Sequence, residues 1–195
     1  MIKKTLNQNA KYAQEFMKSI ETDFIFSDKP INRFKVDSTE NKETIINKNG
    51  LLNNLKTKIN SIENCNLKNN SKSLVLGEGN IDADVMLIGE TPGEIEDKTG
   101  LCFQGEVGNL LNKMLLAINI KRENIYTTYS INFRPPEDRK PTAQEIKRYA
   151  IFLKEHIEII DPKILILMGS TAMEAITGLS KISNERGKWK EIILK

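Results

Sequence analysis

Three short apolar runs, Asp84–Gly89, Asn124–Ile131 and Lys163–Gly169, alternate with stretches whose apolar residues recur at helical spacing. This alternation restricts the possible folds more than any other feature, because strands separated by amphipathic helices pair in parallel through crossover connections. The order β-α-β-α-β-α predicts an α/β protein, a three-layer α-β-α arrangement with a central parallel sheet. Leu110, Leu111, Met114, Leu115 and Ile118 are expected to form the inner face of the first crossover helix. Thr142-Ala-Gln-Glu145 has the capping-box pattern that opens a helix, here one with Ile146, Tyr149, Leu153, Ile157 and Ile160 on its inner face. A short helix over Ser170–Ile176 is stopped by Gly178, and Gly77-Glu-Gly79 is expected to be a turn. A sheet of this kind binds ligands at the carboxyl ends of its strands, which here are the loops Gly89–Phe103, Tyr129–Lys140 and Gly169–Thr171.

At 195 residues the chain is long enough for one such core. Its first part has a different texture: 14 of 20 asparagines lie in residues 1–80, and residues 1–70 hold 12 Lys and Arg against 8 Asp and Glu. Tyr12, Ala13, Phe16, Met17 and Ile20 form one amphipathic set, and Leu51, Leu52, Leu55, Ile59 and Ile62 a second, with Thr22–Asn41 a polar connector between them. Residues 1–60 are therefore expected to be a mostly helical accessory extension, and residues 61–195 the α/β domain. The apolar runs fall well short of the roughly 18 residues of a membrane span. The N-terminus lacks the apolar stretch of a secretory signal, so a cytoplasmic address and no membrane partner are expected. Two cysteines, Cys65 and Cys102, and one histidine, His156, make neither a disulfide framework nor a zinc site. Both cysteines are expected to be structural, and His156 an ordinary helix residue.

The first strand runs into Gly89-Glu-Thr-Pro-Gly-Glu-Ile-Glu-Asp97, which gathers Glu90, Glu94, Glu96 and Asp97 within eight residues. Glycines let the backbone turn and approach a ligand, and Pro92 stiffens it. An acidic helix start is the plainer reading of the same residues. Neither phosphate-loop glycine signature follows this strand. Phe103 sits in a glycine-flanked segment, placed either to anchor the core or to stack on a planar base.

Residues Gly77–Gly108 closely resemble the family 4 uracil-DNA glycosylases, through Gly-Glu-Gly-Asn80, Gly89-Glu-Thr-Pro-Gly93, Glu96-Asp97 and Gly100-Leu-Cys-Phe-Gln-Gly105. Thr91 stands for the usual Ala and Cys102 for the usual Pro. The resemblance continues through Arg134-Pro-Pro136, Pro141-Thr-Ala-Gln-Glu-Ile146, Asp161-Pro-Lys163 and Arg186-Gly-Lys-Trp189, over roughly residues 61–195. It implies hydrolysis of the N-glycosidic bond of a uracil flipped out of DNA, leaving an abasic site for base excision repair. It assigns Glu90 to orient water and stabilise the cationic sugar, and Glu96 to support the water or the loop. Gly89, Thr91, Phe103 and Tyr129 fall at base-binding positions, with Phe103 as the stacking ring and backbone N–H groups around Glu90 and Thr91 facing a uracil oxygen. Arg134, Arg139 and Lys140 are the candidates for the DNA backbone, with a solvated Pro-stiffened loop as their plainer reading. Uracil-containing DNA is the implied partner and a monomer the expected state.

The departures carry expectations of their own. Of the family's four iron-sulfur ligand positions only Cys65 is a cysteine; Ile62, Phe133 and Tyr149 occupy the rest, so no cofactor or metal is expected. The family's uracil-reading Asn falls at Tyr129, which has one hydroxyl and more bulk. The family's further strand and its His-Pro-[Ser/Ala] segment have no counterpart up to Lys195, so a missing last strand and activity reduced by about 10²–10³ are expected. The alternatives are a non-catalytic DNA-binding remnant of the family and, on fold analogy alone, a nucleotide-binding or protein-interaction module.

Overall fold

The computed structural model describes residues 38–192, and the amphipathic set at Tyr12–Ile20 lies outside them. Four strands form one sheet: β1 Gly77–Gly79, β2 Val85–Gly89, β3 Tyr126–Tyr129 and β4 Ile164–Leu167, in the order β1-β3-β2-β4. β2 pairs in parallel with β3 (Met86 opposite Tyr126, Gly89 opposite Tyr129) and with β4 (Val85 opposite Ile164, Ile88 opposite Leu167). β1 pairs antiparallel with β3, Gly77 facing Thr128. The sheet is thus mixed rather than wholly parallel, and the turn expected at Gly77–Gly79 is a strand. Two interactions account for it. Arg122 Nη2 binds Glu78 Oε1 at 3.0 Å, and a Cβ at Gly77 would lie 2.7 Å from Tyr126 Oη, so glycine here lets the Tyr126 ring pack against the strand.

Helices cover both faces. The helices are α1 Ser38–Asn60, α2 Asn66–Asn70, α3 Glu94–Thr99, α4 Gly105–Ala117, α5 Ala143–Ile160, α6 Ser170–Thr177 and α7 Ile182–Glu185. α5 opens as its sequence dictates: the Glu145 N–H donates to Thr142 Oγ1 and the Thr142 N–H to Glu145 Oε2, satisfying two donors at the helix end. All five residues expected on its inner face are buried, and with Met86, Ile88, Tyr126 and Ile131 they form the larger core. α1 contributes Leu52, Leu55 and Ile59 to this core, and α6 contributes Ala172 and Ala175. α1 starts at Ser38, inside the stretch expected to be a connector. Gly178 closes α6 in the left-handed conformation, with its N–H on Glu174 O.

The opposite face carries a smaller core of Val75, Leu87, Cys102, Phe103, Leu111, Leu115, Ile125 and Tyr129. Here the expected face of α4 is corrected. Leu111 and Leu115 are buried, whereas Leu110, Met114 and Ile118 are more than half exposed. Gly108, Leu111 and Leu115 stack on one line of the helix, and the row of Leu110, Met114 and Ile118 lies about 100° away around the axis. β4 has no strand on its outer side among the described residues, and Ile164 and Ile166 are exposed there. None of the described helices is long and apolar enough to cross a membrane.

Candidate functional site

The carboxyl ends of β2, β3 and β4 converge, and Glu90, the first residue beyond β2, lies at their centre. Its backbone carbonyl accepts from the Ile131 N–H at 3.3 Å and the Ser130 hydroxyl at 2.5 Å, which fixes its position against β3. Its side chain reaches the other way. Oε1 accepts from the Thr171 N–H at 2.9 Å and the Ser170 hydroxyl at 3.2 Å, at the amino end of α6. A carboxylate in that place complements the partial positive charge of a helix N-terminus. Gly169 makes the approach possible, because its φ is +106° and any Cβ there would stand 2.5 Å from the Glu90 side chain. Oε2 has no hydrogen-bond donor among the described residues. One oxygen is therefore clamped, and the other is left for a water or a developing positive charge.

Glu96 and Asp97 are buried and act on the loops. Glu96 Oε2 accepts from the Gly93 N–H at 3.0 Å, while Oε1 accepts from the Gln104 N–H at 2.9 Å. One carboxylate thus staples the turn after β2 to the segment that presents Phe103. Asp97 Oδ1 gathers the Lys72 N–H at 2.8 Å, the Ser73 N–H at 3.1 Å and the Ser71 hydroxyl. With both oxygens of Glu96 engaged by backbone donors, the geometry gives it support of the loop. Glu94 is exposed and pairs with Lys98, whose ammonium holds its carboxyl below the ordinary carboxylate range.

Gly89, Phe103 and Tyr129 meet beside Glu90. The Phe103 and Tyr129 rings stack with centroids 4.8 Å apart and planes 26° from parallel, and the Phe103 N–H donates to Tyr129 Oη at 3.0 Å. A Cβ at Gly89 would stand 2.7 Å from the Tyr129 ring and 2.8 Å from Phe103 Cζ, so only glycine fits. Thr91 follows in the loop, half-buried. The Arg122 guanidinium carbon lies 5.5 Å from the centre of the Phe103 ring, within reach of a cation–π contact. Burial pushes the Cys102 thiol up to about 12, which makes it inert at neutral pH.

The basic loop after β3 is largely self-neutralised. Arg134 grips Asp138 through two bonds of 2.7 and 2.8 Å, and Arg139 grips Glu145 through two of 2.9 and 2.7 Å. The Arg139 guanidinium holds the Glu145 carboxyl down at about 2. Lys140 is exposed and makes no ion pair among the described residues. His156 lies on the other face of the sheet, 1% exposed, with Nε2 3.0 Å from Tyr126 Oη.

Cys65, Phe133 and Tyr149, three of the positions at which the resemblance places cluster ligands, come together in the larger core, and Ile62 packs against it. Cys65 Sγ is 3.2 Å from Tyr149 Oη, and the Phe133 ring meets Tyr149 edge-on. One thiol, one phenol and two hydrocarbon groups do not match the thiolate set an iron-sulfur cluster requires. No group of three or more His, Cys, Asp or Glu among the described residues is placed to hold a metal ion.

Sequence reasoning named the Gly169–Thr171 loop only as a strand end; that it orients Glu90 follows from the parallel pairing of β4 with β2. Ser130 carried no signal.

Residues 76–194 match the family described as the Uracil DNA glycosylase superfamily. The type-4 uracil-DNA glycosylase of Thermotoga maritima is 40% identical over 119 residues, 61% of this chain and 62% of its own length. That of Archaeoglobus fulgidus is 34% identical over 146 residues, covering 72% of this chain and 73% of its own. The DNA polymerase of Bacillus phage SP01 is 32% identical over 117 residues, 60% of this chain but 13% of the polymerase.

Proposed function

Since this chain belongs to the uracil-DNA glycosylase superfamily, we propose that it hydrolyses the N-glycosidic bond of uracil in DNA and leaves an abasic site. The observation that carries this reading is Glu90. It stands at the carboxyl ends of three parallel strands with Oε1 held by Thr171 and Ser170 and Oε2 without a donor among the described residues. As the C1′–N1 bond lengthens, positive charge grows on the deoxyribose and negative charge on the departing base. A fixed carboxylate beside C1′ stabilises the first and accepts a hydrogen bond from the water that attacks it. Because both of its anchors are rigid, a helix N-terminus and a strand end, Glu90 needs little reorganisation as that charge develops. The negative charge on the base falls to backbone N–H groups around Glu90 and Thr91, the Gly93 N–H being held by Glu96. DNA is the proposed partner, with the exposed Lys140, which makes no ion pair among the described residues, to meet a phosphate and Arg134 and Arg139 available once they leave their carboxylates.

An oligonucleotide with one uracil, end-labelled and treated with hot alkali, tests the reading. Uracil-dependent strand breaks are expected from the full chain, absent with thymine in place of uracil and at least a hundredfold slower in Glu90→Ala. Undiminished cleavage by Glu90→Ala, or none by folded protein in excess over DNA, would sink it. A folded protein that binds DNA with salt dependence and yields no abasic product is instead the non-catalytic binder.

A further inference from the structure

The ring of Tyr129 lies stacked on that of Phe103. If Phe103 is the platform for a flipped base, as the family resemblance implies, the ring lying on it belongs to the protein. The 4.8 Å centroid separation and 26° tilt fall within the range for stacked aromatic rings. Both side chains are more than nine-tenths buried, Phe103 7% exposed and Tyr129 5%.

Three further features tie this pair to the site. Phe103 is held at φ +50°, a left-handed conformation costly for a bulky L-residue and one that persists where the surroundings impose it. The donor of that strained residue, its N–H, is satisfied by Tyr129 Oη at 3.0 Å. Gly89, whose neighbour is Glu90, leaves out the Cβ that would strike both rings. Phe103 is also packed by Arg122, which binds Glu78, Thr127 and the carbonyl of Cys102, whereas among the described residues the Tyr129 hydroxyl has the one bond to Phe103 N. Of the two rings, Tyr129 has the lighter polar anchorage.

We infer that Tyr129 is a specificity-determining gate, whose ring fills the stacking place on Phe103 and must rotate away before a base can enter. The inference rests on the excision reading for the identity of the base. A ligand must displace the ring and free the Phe103 N–H, so a small free base exchanges poorly, while a base carried on DNA draws on backbone contacts elsewhere to shift the equilibrium. A closed and an open position of one side chain then decide access to Glu90.

The test follows the tyrosine itself. The full chain is labelled with 3-fluorotyrosine, and the Tyr129 resonance is identified by its loss in Tyr129→Phe. A single-stranded oligonucleotide is added whose one uridine carries a 2′-fluorine that resists hydrolysis. The Tyr129 fluorine signal is expected to move on binding, and the Phe103 amide to lose protection from hydrogen exchange. Free uracil is expected to bind Tyr129→Asn at least tenfold more tightly than wild type, and single-turnover release of uracil from DNA to rise by a similar factor. Tyr129→Phe, which keeps the ring and loses the hydroxyl, is expected to gain less. A Tyr129 signal that stays put while the oligonucleotide binds overturns the gate, even if Tyr129→Asn does not fold. So does failure of both wild type and folded Tyr129→Asn to bind uracil in either form. If the signal moves but no protein releases uracil, the gate stands and the excision reading fails. If uracil is released with the signal unmoved, the reverse holds.

Discussion

On one face of the sheet, Met86, Ile88, Tyr126 and Ile131 meet two long helices, α1 and α5, in a continuous apolar core whose polar members are paired, Tyr126 with His156 and Cys65 with Tyr149. On the other, Leu87 and Tyr129 share a smaller core with Leu111 and Leu115 of α4, Val75, Ile125 and a loop that carries Phe103 and Cys102. The first face buries hydrocarbon; the second holds loop backbone with carboxylates, Glu96 to Gly93 and Gln104, and Asp97 to residues 71–73. The difference separates a face that supplies stability from a face that supplies position. Apolar burial gives a large and forgiving free energy of folding, whereas carboxylate-to-backbone bonds give position, which a site with one aimed carboxylate requires.

The comparison predicts unequal outcomes for substitutions on the two faces. The largest loss of stability is expected from Tyr149→Ala on the α5 face, because it empties a fully buried ring from between Phe133 and Phe152. Chemical denaturation should show a loss of about 3–5 kcal/mol, with uracil release per folded molecule unchanged. An equal fall in the rate of folded protein would break the separation.

Next comes His156. Burial holds its imidazole down at about 4, against an ordinary 6.5. The unfolded chain therefore binds the proton first as pH falls. Its contribution is whole above pH 6.5 and is lost between there and pH 4, by on the order of 3 kcal/mol. His156→Gln, which keeps a partner for Tyr126, should remove the pH dependence of denaturant midpoints in that window; a persistent slope assigns it to another group.

Glu96→Gln probes the site face. One carboxamide oxygen cannot accept from both Gly93 and Gln104, so one N–H is orphaned, at about 1–3 kcal/mol. Uracil release should fall by more than tenfold, with faster hydrogen exchange confined to the two loops. Spread of that exchange into α5 would show that the faces are coupled.

The smallest effect is expected at the rim. Lys140→Ala should lower the slope of log K against log salt for duplex DNA by about 0.9, as one phosphate contact does. Arg139→Ala should lower it less, because Arg139 must first give up Glu145. Equal slopes would mean that the ion pair opens freely on binding.

Much of the α5 face was legible in the amino-acid order. Ile146, Tyr149, Leu153, Ile157 and Ile160 share a helical period, and all are buried; the Thr142 and Glu145 cap forms as its spacing requires. Periodicity is a property of one element, so it survives reading without neighbours. α4 shows where this stops. Its apolar residues cover two adjacent rows, and only packing against Leu87 and Phe103 selects the row with Leu111 and Leu115. Gly77–Gly79 fails for a related reason: glycine marks close approach as readily as a turn, and the partner, Tyr126, is nearly fifty residues away.

At the site, the sequence by itself determined which residues gather. Glu90, Phe103 and Tyr129 had to fall near one another, because parallel strands linked by crossover helices bring their carboxyl ends to one edge. Tertiary structure alone decided what each does there. That Glu90 is aimed by Thr171, that Glu96 spends both oxygens on backbone, and that Tyr129 lies on Phe103 all depend on contacts between segments 8 to 81 residues apart. Such contacts are set by how elements pack, since side-chain direction at a strand end follows from its neighbours across the sheet and local sequence does not encode them.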